Sequence, residues 1–140
     1  MKSISIMAAV CVIAVMLFGC ALFSGTKVAS RNASPTIPSA EGTVKINKTT
    51  NGNTSIDVLV KHLAKPDKLT PPASTYVVWV RGSKEAAPQN VGALVVDKNL
   101  SGELQTTTPL SSFDLFITAE ESIQVQQPSG QQLLWTSYNR

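Results

Sequence analysis

The sequence is short of the side chains that carry reactive chemistry. Its 140 residues include two cysteines and one histidine. The cysteines, Cys11 and Cys20, both belong to an apolar stretch near the start. Nothing after residue 20 can form a disulfide or offer a thiol, so the folded part must be held by its own core. His62 alone leaves too little for a histidine metal cluster or a His-based triad. No Gly-x-Ser-x-Gly elbow and no phosphate-cradling glycine loop occurs. The chain therefore reads as a non-enzyme without metal or cofactor.

Charge is equally scarce. Charged residues make up 15% of the chain, against roughly a quarter in an ordinary soluble domain. Lys+Arg 12 against Asp+Glu 9 leaves +3, too weak and too scattered for a nucleic-acid footprint, so no nucleic-acid partner is expected. Few charges together with 43% hydrophobic residues also argue against intrinsic disorder.

The first distinct feature is an address. Met1-Lys2-Ser3 opens with a positive charge, and residues 4–19, ISIMAAVCVIAVMLFG, carry neither charge nor proline. These are the n-region and h-region of an export signal. The run stops at Leu17-Phe18-Gly19-Cys20, which resembles a bacterial lipobox, where a diacylglycerol is attached to the cysteine sulfur and the chain is cut before it. Phe18 is bulkier than the residue usual at that place. The expectation is a signal peptide over 1–19 and lipidation of Cys20, leaving the domain on the periplasmic or outer side of the cell membrane. An uncleaved N-terminal anchor helix or ordinary secretion are the alternatives, since the apolar run extended to Phe23 is about long enough to cross a bilayer.

Residues 24–42, SGTKVASRNASPTIPSAEG, are dominated by Ser, Ala, Thr, Pro and Gly. Such a composition buries little surface, and 20–42 is expected to be a flexible tether. From Thr43 the pattern becomes β. Val44 and Ile46 alternate with polar residues, and Asn51-Gly52 supplies a hairpin turn before Ile56, Val58 and Val60. Residues 75–80, TYVVWV, are apolar on both faces, as in a strand covered on both sides. Strands follow at 91–97, 103–107, 112–118 and 132–138, with a short piece at 123–125. No window after Phe23 has helical periodicity. The spacing predicts an immunoglobulin-like antiparallel β-sandwich of about seven to eight strands over 43–140. Trp79 and Trp135 are expected to pack as core aromatics. Glu120-Glu121 reads as a charged loop edge, and the strand 43–47 as a sheet edge protected by Lys45 and Lys48.

Several of these pieces resemble the extracytoplasmic C-terminal domain of anti-sigma-K factors. They are Tyr76-x-x-Trp79, the strand Val91-Gly92-Ala93-Leu94, the run from Phe113 through Thr118 to Glu120, and the turn Pro128-x-Gly130. The resemblance covers about residues 43–137 and implies a non-catalytic sensory module. With Met1-Lys2-Ser3 before the apolar run, the family's cytoplasmic sigma-binding segment is expected to be absent, and no direct sigma-factor contact is expected. The implied role is a membrane-tethered binding or envelope-sensing module with an envelope protein as partner. The alternative is a structural envelope lipoprotein without a specific ligand.

Overall fold

The computed structural model describes residues 26–30 and 32–140. Among them there is no α-helix; a single 3-10 turn, Pro66–Lys68, interrupts an otherwise all-β chain. Seven long strands carry the fold: β3 (Glu41–Lys48), β4 (Thr54–Lys61), β5 (Thr75–Arg81), β6 (Gln89–Val96), β7 (Gly102–Thr108), β8 (Phe113–Glu120) and β9 (Gln132–Tyr138). Two short ones, β1 (Thr26–Ser30) and β2 (Asn32–Ala33), precede them. Every pairing is antiparallel, in the order β1-β3-β4-β7-β6-β5-β8-β9-β2. The sheet rolls until β1 lies beside β9, which gives it a nearly barrel-like form.

Period-2 patterning decides what faces inward. On β4, Ile56, Val58 and Val60 are buried while Ser55, Asp57 and Leu59 lie between them on the wetter side. They meet Val44 and Ile46 of β3, Tyr76, Val78 and Val80 of β5, and Phe113, Leu115 and Ile117 of β8 in one core. Tyr76 carries a phenol into this core. Its hydroxyl donates to the Ala64 carbonyl at 2.7 Å, and burial pushes its pKa up to about 12.

The Asn-Gly hairpin forms as the sequence predicts. Gly52 has φ +88°, the left-handed backbone that an Asn-Gly turn requires. β6 is less regular. Val78 opposes Gly92 but Trp79 opposes Asn90, so Val91 is the extra residue of a bulge. Gly92 has φ +135°, and a Cβ there would stand 2.9 Å from the Leu104 side chain. Past the bulge, Val95 and Val96 leave β5 and pair with β7. The 91–97 and 103–107 strands thus make only a short hairpin, because β6 runs with β5 as far as Leu94 and reaches β7 only at its last two residues.

Three expectations need correction. Residues expected to be a tether enter the sheet: β1 pairs with β3, and β2 pairs with β9. Ile37 and Ala40 are buried in the core. The physical reason is that β3 and β9 would otherwise end the sheet with unpaired amides and carbonyls. A small-residue segment can satisfy these with its backbone. For the same reason 43–47 is not an edge: β3 lies between β1 and β4. Finally, 123–125 forms no strand and belongs to a loop.

Candidate functional site

On the face of β8 turned away from the main core stand Asp114, Phe116, Thr118 and Glu120. Trp79 of β5 is directly opposite Phe116, and Phe116 is directly opposite Trp135 of β9. The Trp79 and Phe116 rings stack, with centroids 6.4 Å apart and planes 16° from parallel. Trp79 is 0% exposed because Val77, Phe116 and Val125 close around it as a second, smaller core.

The indole finds its partner below this stack. Trp79 Nε1 donates to Thr118 Oγ1 at 2.8 Å, and the Thr118 hydroxyl donates to Glu120 Oε1 at 2.5 Å. The same carboxylate oxygen accepts the amides of Ser129 at 3.0 Å and Gly130 at 3.2 Å. The Ser129 hydroxyl donates to Oε2. Glu120 is 1% exposed. Burial alone would raise its pKa, but the hydrogen bonds from Ser129, Thr118 and Gly130 outweigh that cost and hold it below the usual carboxylate range. A buried carboxylate is tolerable when donors surround it in this way.

The network latches loop 121–131 at its far end; Asn90 latches its near end. Asn90 Nδ2 donates to the carbonyls of Ile123 at 3.0 Å and Val125 at 2.9 Å. The Gly92 amide donates to Asn90 Oδ1 at 3.0 Å, which fixes the side chain. Gly130 is tightly constrained: a Cβ there would lie 1.8 Å from the Ala119 carbonyl oxygen. Only glycine lets the loop approach β8 closely enough to reach Glu120.

Further along the same face, Asp114 accepts from Ser137 Oγ at 2.6 Å and from Arg81 Nε at 3.3 Å. The Ser137 hydrogen bond is the largest influence on Asp114; together with Arg81 it outweighs burial and keeps the carboxyl below its ordinary pKa. The Arg81 guanidinium also lies 5.3 Å from the centroid of the Phe116 ring, within reach of a cation–π attraction. Beside Glu120 is a cavity of about 190 Å³ bordered by Thr36, Leu69, Pro71, Pro72, Gly130 and Leu133.

The residues singled out from sequence fare differently. Cys20 lies outside the described residues. Trp79 is buried as expected. Trp135 is not: it stands on the outer face, 40% exposed. The cause is a register shift beside Ile117 that lets Leu133 and Leu134 both turn inward and moves Trp135 out. Glu120 is the opposite case, a residue expected at a charged loop edge that is buried and saturated with donors. The Thr118-x-Glu120 pair and the Pro128-x-Gly130 turn carried that signal. Glu121 beside it is exposed, and so is His62 at the end of β4, with φ 56°. Among the described residues no three of His, Cys, Asp and Glu come together, and no helix is long and apolar enough to cross a membrane. Comparison with protein-family models, curated proteins and solved structures gave no match.

Proposed function

We propose that this chain is an extracytoplasmic binding or envelope-sensing module, tethered to the membrane through lipid on Cys20, that acts by protein contact and not by catalysis. The observation that carries the reading is the latched outer face. Glu120, the one buried carboxylate among the described residues, spends its acceptor capacity on the chain itself. What it achieves is a rigid platform on which large apolar side chains meet solvent: Trp135, and Ile123 at 59% exposure on the loop laid across the face. Tryptophan at a surface is over-represented in protein interfaces, where a ring buries much area at little entropic cost.

The resemblance to the C-terminal domain of anti-sigma-K factors belongs to the same proposal. Its support is that Trp79, Thr118, Glu120 and Gly130, from three separate stretches of the resemblance, meet in one hydrogen-bonded network. An immunoglobulin-like sandwich is the finer architecture proposed, with β6 serving two layers because it pairs first with β5 and then with β7.

The test is mild crosslinking of the tagged full chain in its native envelope. One protein recovered in equimolar amount, and lost with Trp135→Ala or Ile123→Ser, is the expected result. A lipidated chain that recovers no stoichiometric partner is instead a structural envelope lipoprotein.

A further inference from the structure

The register of β1 limits how far a lipid anchor lets the domain stand from the membrane. Thr26 is opposite Ile46, two residues before Lys48 at the hairpin. The chain therefore joins the sheet at the end where β3 turns into β4. From Cys20 to Thr26 there are six Cα steps, which reach no more than about 20–22 Å fully stretched. Eight-residue strands such as β3 and β4 are themselves about 26 Å long. A domain anchored at Cys20 thus hangs on a leash shorter than its own length.

The same end collects positive charge. Antiparallel pairing brings the 49–53 hairpin, the 82–88 loop and the residues after β9 to it, since Val80 opposes Gln89 and Phe113 opposes Tyr138. Lys48, Lys84 and Arg140 are exposed there against Glu85, while Arg81 and Asp114 neutralise one another. At the opposite end Glu41, Asp67, Asp97, Glu103 and Glu121 are exposed among Lys61, Lys65, Lys68 and Lys98, so opposite charges nearly cancel there with a small acidic excess. An anionic leaflet therefore favours the first end, which the short leash already holds near it, over the second.

Resting on the lipoprotein reading above, we infer that the hairpin end of the sheet docks on anionic lipid headgroups. Lys48, Lys84 and Arg140 face the membrane, and the 97–101 turn points away from it. The latched face with Trp135 then stands roughly perpendicular to the bilayer, open to a partner from the side.

The test uses the full chain, processed and purified with its anchor, in vesicles of phosphatidylcholine with phosphatidylglycerol. Cysteine introduced by Asn51→Cys or Lys98→Cys carries a fluorophore, and a spin label on lipid headgroups quenches it. Expected are strong quenching at position 51, weak quenching at 98, and loss of that contrast with Lys48→Glu/Lys84→Glu/Arg140→Glu or in pure phosphatidylcholine. Equal quenching at both positions, or stronger quenching at 98, overturns the docking while leaving the anchor intact. The mass of the same sample reports the lipid separately, and an unlipidated chain overturns the anchor and the docking together.

Discussion

Glu120 and Ser129 bind each other twice: the Ser129 amide and hydroxyl both donate to a carboxylate that solvent does not reach. This pairing closes loop 121–131 over Trp79, so the buried charge and the buried indole depend on one another through Thr118. Removing either partner exposes or strands the rest.

The first consequence is a pH dependence. A carboxyl whose pKa is lower in the folded state stabilises the fold fully above its unfolded value, roughly 4.3, and loses that contribution as pH falls through the folded value. Glu120 and Asp114 both have lowered pKa values. Stability should therefore fall on acidification below about pH 4.5. Glu120→Gln should flatten this fall and leave the part due to Asp114, as chemical denaturation across that window will show.

Glu120→Gln should also cost stability at neutral pH. An amide replaces one acceptor oxygen with a donor, so one of the Ser129 or Gly130 donors loses its partner in a buried place. The expected cost is about 1–3 kcal/mol, measured as a shift in urea midpoint.

Trp79→Ala removes a side chain that is 0% exposed and should destabilise the domain by about 3–5 kcal/mol. Trp79→Phe keeps the stack on Phe116 but drops the hydrogen bond to Thr118, at a cost of about 1 kcal/mol before repacking. Trp135→Ala should cost much less than Trp79→Ala. If Trp79→Ala melts like the wild type, the assignment of Trp79 to the core is wrong.

Two glycines separate strain from collision. Gly52→Ala meets no neighbour and should cost about 1 kcal/mol for its left-handed backbone. Gly130→Ala drives a methyl into the Ala119 carbonyl and should cost at least about 1–3 kcal/mol, with loosening of loop 121–131. Thermal melts and hydrogen exchange of the Ser129 and Gly130 amides distinguish the two.

Much of the sheet was legible because its strands obey period 2 or are apolar throughout. The doubly covered β5 and the alternation on β4 follow from that rule, and the Asn51-Gly52 pair marks the hairpin by its turn chemistry. The segment 26–40 was not legible: it joins the sheet by backbone pairing, and backbone pairing leaves no pattern in a Ser/Thr/Pro-rich stretch. The outward placement of Trp135 rests on a register shift that the alternation of the sequence does not announce, since a single extra residue reverses which side chains face inward. The burial of Glu120 leaves no local pattern, because beside Thr118 its donors come from Ser129 and Gly130, whose approach depends on the turn geometry and not on local composition. The residues of the latch were nevertheless visible as motif fragments; their convergence was not.

The central claim, a contact module anchored by lipid at Cys20, is tested most directly by the intact mass of the mature chain extracted from its native membrane. Expected is a chain that begins at Cys20 and carries acyl groups, with Cys20→Ser retaining residues 1–19 and incorporating no labelled fatty acid. A wild-type chain that carries no lipid and matches Cys20→Ser in mass, apart from the substituted atom, contradicts it.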